Sequence, residues 1–164
     1  MPFEAVLRAP TAADEAALLA LNNAHAVELS PLTSPAFQAL LAAAFHARVA
    51  EACQGMLIAF DQDAPYQSPN FLWFRARYPR FVYVDRVVVE PAARGRGIAR
   101  ALYDDLFAAS SASAHTLVCC EVNVDPPNPA SERFHESLRF VEVGRERVPG
   151  YTKTVRYLRR TLVA

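Results

Sequence analysis

Hydrophobic positions along the chain recur with a period of two in some segments and near 3.6 in others, which predicts alternating strands and helices. Residues 3–10, "FEAVLRAP", read as a first strand ended by Pro10. Thr11 follows as a helix N-cap, with Asp14 at capping-box spacing. The helix that follows carries Leu18, Leu19, Leu21 and Ala24, and the pattern degrades in "NNAHAVELSPL". Ser34-Pro35, a cap followed by proline, opens a second helix with Phe37, Leu40, Leu41, Ala44 and Phe45 at helical spacing. "ARVAEAC" and "MLIAF" read as strands joined by a hairpin at Gln54-Gly55. Residues 61–79 read as the longest irregular segment, and 80–89, "RFVYVDRVVV", as the strongest strand. A helix over 97–110 buries Ile98, Leu102, Leu106 and Ala109, and 115–124 is a strand. Asn128 caps a helix with Pro129 at its first position, and two strands follow around Pro149-Gly150.

The predicted order is β-α-α-β-β-β-α-β-α-β-β, a single α/β domain over residues 1–164 (α+β by some schemes), with a mixed sheet of about seven strands and about four helices. Strand 80–89, helix 97–110 and strand 115–124 form a βαβ unit, which requires a parallel pair and a right-handed crossover.

Composition narrows the function little. With 52% hydrophobic and 21% charged residues the chain is neither disordered nor unusual. Formal net charge is zero, so no global field favours nucleic acid or an acidic membrane. Cys53, Cys119 and Cys120 have neither disulfide-framework nor metal spacing, and no metal site is expected. No apolar run approaches the ~18 residues of a membrane span, and the first residues lack signal-peptide features, so a cytoplasmic protein is expected.

Chemistry concentrates at "EPAARGRGIAR", residues 90–100, where strand turns into helix. Helix N-termini favour anions, and glycines there admit a pyrophosphate. A Walker loop needs Gly-Lys before Ser or Thr, and there is no lysine here. A dinucleotide fingerprint needs a third glycine where Arg100 stands. What remains is R-x-x-G-x-A (Arg94, Gly97, Ala99) after Val-x-Pro, which resembles motif A of the GNAT superfamily of acyl-CoA-dependent N-acetyltransferases. The segment 128–140, "NPASERFHESLRF", resembles the later signature of the same family, an Asn-led helix with a hydroxy-aromatic pair before Leu-Gly-Phe.

The resemblance implies a GNAT-like fold with splayed central parallel strands, acetyl-CoA as cosubstrate, and acetyl transfer to a primary amine by direct attack in a ternary complex. Val87, Val89, Arg94, Gly95, Arg96, Gly97, Ala99, Arg100, Asn128 and Ser131 would then hold the donor, with the main chain near Val87 polarising the thioester carbonyl. Tyr83, Asp85, Val87 and Val89 share one strand face, and Tyr83 matches a position where some members carry a catalytic glutamate. Asp85 is the nearest carboxylate and the candidate base, against the alternative of a structural pair with Arg86 or Arg80; Glu121 is a weaker candidate. His135 stands where the family carries its thiolate-protonating tyrosine, and Arg139 where glycine is usual. The family's acceptor regions correspond to Asn22, His25, Glu28 and Trp73, although the aromatics could equally anchor the core and the asparagines end a helix. The acceptor is a small-molecule or N-terminal amine, with neither nucleic acid nor membrane as partner. Dimerisation through terminal strands is common in the family. The competing function is a non-catalytic CoA-binding sensor or interaction module.

Overall fold

The computed structural model describes residues 4–25, 29–148, 150 and 153–163. Its seven strands lie in the order β1-β2-β3-β4-β5-β7-β6. They are β1 (Leu7–Arg8), β2 (His46–Ala50), β3 (Gly55–Asp61), β4 (Val82–Val89), β5 (Leu117–Asp125), β6 (Val141–Arg147) and β7 (Thr154–Thr161). The helices are α1 (Glu15–Asn23), α2 (Ser34–Ala43), α3 (Pro69–Arg75), α4 (Ile98–Ala112) and α5 (Pro129–Ser137). β1 with β2 and β2 with β3 are antiparallel, as are β5 with β7 and β6 with β7. β4 and β5 are parallel, and among the described residues their ladder registers Val82 with Val118 and Tyr83 with Cys119.

Contacts divide the chain into two interleaved compact units, residues 1–60 with 84–109, and residues 61–83 with 110–164. In the first unit, alternation in β4 buries Val84, Arg86 and Val88 and leaves Val87 and Val89 half-buried. α4 buries Ile98, Leu102, Tyr103 and Leu106, spaced as one helical face. At the start of α1, Asp14 accepts two Arg8 N–H groups at 2.6 and 2.8 Å and the Thr11 N–H at 2.7 Å. Arg8 is the main reason its carboxyl is held well below the usual carboxylate range. α2 is capped by Thr33, whose hydroxyl accepts the Ala36 N–H, so Ser34 and Pro35 both lie inside the helix. The β2–β3 connection is a tight turn over Glu51–Cys53, with Ala52 and Cys53 at φ 56° and 54°, rather than a hairpin centred on Gln54-Gly55.

The second unit contains the main departure from the sequence reading: residues 69–75, expected to be irregular, are helical. Ser68-Pro69 repeats the Ser-Pro sequence found at the start of α2, here with Ser68 at the N-cap position and Pro69 as the first helical residue, but two turns are too short for a helical period to register. Phe71 and Phe74, three apart, enter the core, where their rings lie 5.7 and 5.8 Å from Tyr83. Trp73 stacks on Tyr157 at 4.1 Å with the ring planes 17° apart. Each such pair contributes about 0.5–1.5 kcal/mol beyond burial of area. A Cβ on Gly144 would sit 2.5 Å from the Trp73 ring, so β6 accepts only glycine there. α5 ends in a Schellman arrangement, with Arg139 N–H donating to the Glu136 carbonyl at 2.9 Å and Phe140 N–H to that of His135 at 3.1 Å. Arg139 occupies the left-handed position at φ 65°, so the geometry a glycine usually supplies is kept by an arginine.

Candidate active site

In the first unit β4 ends at Val89, and a short turn at Pro91–Ala93 leads through Arg94 to α4. Gly95 and Gly97 have φ of +80° and +81°, a conformation that costs an L-residue roughly 1–2 kcal/mol. A Cβ at either would meet nothing within 4 Å, so backbone conformation selects glycine and the surface above the turn is open. The helix bonding begins with Ala101 N–H to the Gly97 carbonyl at 2.9 Å, and the leading amides of a helix have no acceptor of their own. Arg94, Arg96 and Arg100 are exposed around them, and Ala99 is half-buried. The turn therefore combines an N-terminal helix dipole, main-chain donors and three guanidinium groups, a cradle suited to a pyrophosphate.

Next to this turn the first unit holds a buried polar cluster. Arg86 donates from Nε to Asp85 at 2.6 Å and from Nη1 to the Asn22 amide oxygen at 2.8 Å. The Asp85 and Arg86 side chains are each 5% exposed. The structural pairing considered for Asp85 is thus present. Asn22 is fully buried and also donates to the Ser30 carbonyl at 3.0 Å, tying the segment after α1 to β4. His25 lies at the end of α1 against Arg94, at 3.2 Å. Glu28 lies outside the described residues.

The second unit holds a different cluster. The two oxygens of Glu121 accept from the Tyr83 hydroxyl at 2.7 Å and from the Asn70 amide at 3.1 Å. Asn70 in turn accepts the Tyr157 hydroxyl proton at 2.9 Å. Burial, reinforced by Glu146 and Glu121, pushes the Tyr157 phenol up to about 12, so it remains a donor across the working range. Trp73 is buried and donates its indole N–H to Glu146 at 3.1 Å. Asn128 caps α5, its side-chain oxygen accepting the Ser131 N–H at 3.3 Å. His135 is buried on the same helix, with Nδ1 2.7 Å from the Ser131 carbonyl and its ring edge-on to Phe134 and Phe140. Burial lowers its pKa.

The model of the acetyltransferase (GNAT) family matches residues 47–140, a span that takes in the glycine turn, Glu121 and the Asn128–His135 helix. This chain belongs to the GNAT acetyltransferase family. An N-acetyltransferase from Staphylococcus aureus is 19% identical over 98% of this chain and 100% of that one, with a TM-score of 0.71. A ribosomal-protein-alanine N-acetyltransferase from Brucella melitensis is 22% identical over 96% and 99%, with a TM-score of 0.72. The structure of yncA from Salmonella typhimurium, with its cofactor acetyl-CoA, is 17% identical over 99% and 96%, with a TM-score of 0.71. At these identities the likeness carries the fold. No curated protein matches the chain.

Within the GNAT frame, the structure gathers Val87, Val89, Arg94 to Gly97, Ala99 and Arg100 in the first unit, with Asn22, His25 and Asp85. Tyr83, Asn128, Ser131, His135 and Trp73 belong to the second. Asn70 and Tyr157 were not legible from sequence. Asn70 lay in a stretch read as loop, and Tyr157 in a strand whose register decides what it meets. Glu121 did leave a signal, one carboxylate inside the apolar run "VCCEV". Among the described residues no group of three or more His, Cys, Asp or Glu could hold a metal ion. No described helix is long and apolar enough to cross a membrane.

Proposed function

We propose that this GNAT protein transfers an acetyl group from acetyl-CoA to a primary amine, a small molecule or an N-terminal amine, by direct attack in a ternary complex. The observation that carries the donor is the left-handed Gly95/Gly97 turn with Arg94, Arg96 and Arg100 at the start of α4. Their amides and guanidiniums would hold the pyrophosphate. Main-chain groups of β4 around Val87 and Val89 would pair with the pantetheine arm, and an N–H near Val87 would stabilise the oxyanion. Asn128 and Ser131 would support the pantetheine side. The amine lone pair attacks the thioester carbonyl, the C–N bond forms, the C–S bond breaks, and CoA leaves as a thiolate that must gain a proton.

For the proton leaving the amine, Glu121 is the stronger candidate. Its carboxylate is oriented by Tyr83 and Asn70, whereas Asp85 is committed to Arg86. Tyr83 then orients the base. His135 is the candidate that returns a proton to the thiolate. A positioned acid or base contributes about 10²–10⁴-fold. One observation favours a second reading, a CoA-binding module without turnover: burial disfavours the charged form of His135, the form that would donate.

The test is CoA release from acetyl-CoA across a panel of polyamines, small aromatic and aliphatic amines, and peptides with free N-termini. Turnover of one class supports the transferase and names its acceptor. Tight CoA binding with no turnover anywhere supports the module.

A further inference from the structure

We propose that His25 is a positioning residue for the donor pyrophosphate, acting through Arg94; the inference rests on acetyl-CoA being the donor. His25 Nδ1 lies 2.9 Å from the Leu21 carbonyl oxygen of α1. A carbonyl can only accept, so Nδ1 carries the proton and Nε2 presents a lone pair. Arg94 Nη2 donates into that lone pair at 3.2 Å, and Arg94 Nε donates to the Val89 carbonyl at 3.3 Å. Nε–H and one Nη2–H lie along one edge of a planar guanidinium. Committing that edge to His25 and Val89 turns the opposite edge, Nη1 with the second Nη2–H, outward as a fork for an anion.

An exposed arginine at a turn ordinarily samples many rotamers, and ordering such a side chain on binding costs conformational entropy. His25 meets that cost before the ligand arrives. The last turn of α1 thereby fixes the orientation of a donor-binding side chain in a turn 69 residues further along the chain. The sequence grouped His25 with the acceptor; the geometry brings it to the donor turn. The group recognised is the pyrophosphate diester shared by CoA and dephospho-CoA.

The experiment is calorimetric measurement of Kd for CoA and dephospho-CoA with wild type, His25→Ala, His25→Gln, Arg94→Ala and the double variant His25→Ala/Arg94→Ala. Loss of this pre-ordering should weaken CoA about two- to tenfold in His25→Ala, and dephospho-CoA equally. His25→Gln, whose amide oxygen can accept from Arg94, should recover most of the loss, which a merely structural histidine would not allow. In the Arg94→Ala background, removing His25 should cost nothing more. Should His25→Ala fail to fold, His25→Leu, closer to the imidazole in volume, replaces it.

Unchanged CoA affinity in His25→Ala, with a raised KM for the amine, would make His25 an acceptor contact and overturn the proposal. Additive losses in the double variant would overturn it too, as would a loss for CoA that disappears with dephospho-CoA. A wild type that binds neither molecule removes the donor assignment and this inference together. Wild-type binding with indifferent His25 variants removes only the inference.

Discussion

The glycine turn of the first unit and the Glu121 cluster of the second differ in how they are built. The turn is largely exposed, made of seven consecutive residues from Arg94 to Arg100, and in the proposed role it would act largely through main chain. Two left-handed glycines aim its amides, and the arginines add charge. The cluster is made of side chains from α3, β4, β5 and β7, drawn from residues 70, 83, 121 and 157, in which Tyr83 and Tyr157 are each 1% exposed. A phosphate arrives with charge to spare and asks only for donors, so a solvent-facing turn suffices. A base that must take a proton from an amine needs its carboxylate oriented and partly withdrawn from water, so it has to be assembled inside a packed core.

The comparison breaks first if Glu121 is not the base. Glu121→Gln keeps the acceptor for Tyr83 or Asn70 but cannot take a proton. It should lower kcat about 10²–10³-fold, abolish the acidic limb of kcat/KM against pH, and leave the Kd for CoA unchanged. An acidic limb that survives would return the role to Asp85. Asp85→Asn should show the opposite signature. It removes the Asp85 charge from beside the buried Arg86 guanidinium, which should cost about 3 kcal/mol in urea unfolding while the acidic limb persists. Gly97→Ala tests the turn by itself. Its φ of +81° strains an alanine by about 1–2 kcal/mol, so CoA binding should weaken about tenfold or the fold should lose that stability; neither change would mean that the turn relaxes freely.

A smaller effect is read from the dependence of stability on pH. Burial lowers the His135 pKa, so the unfolded chain takes up this proton first as pH falls. Its stabilisation is complete above the ordinary histidine pKa and is lost as pH drops below it towards the folded value. Urea unfolding between pH 7 and 5 should show a slope that His135→Gln reduces, by at most about 1.4 kcal/mol per pH unit. An identical slope in the variant would mean that His135 does not contribute. Smallest of all, Arg139→Gly should raise stability by about 1 kcal/mol, or roughly 2–4 °C in Tm, because glycine adopts φ 65° without strain. An unchanged Tm would mean that the loop relaxes around arginine at no cost.

The strand and helix order was largely readable, because each long element repeats its pattern over two or more turns or alternations. α3 was not, since Pro69–Arg75 is two turns long and its aromatics look alike in a loop or a helix. The β2–β3 connection was placed at a glycine, while Ala52 and Cys53 take the left-handed conformation instead. For Trp73 the sequence leaves an acceptor contact and a core anchor both open, and the ring is stacked on Tyr157 and against Gly144. For Asn22 it leaves an acceptor contact and a helix end both open, and the side chain is a fully buried partner of Arg86.

What the sequence determined by itself is the local geometry of the glycine turn proposed to hold the donor. Its residues are consecutive, so strand end, glycines, arginines and helix start imply one another without any distant contact. The pairing of Arg86 with Asn22, the meeting of His25 with Arg94, and the convergence of Asn70, Tyr83, Glu121 and Tyr157 were decided only by tertiary structure. Those groups are brought together by strand register and helix packing, and a shift of one residue in a strand would turn each side chain to the opposite face.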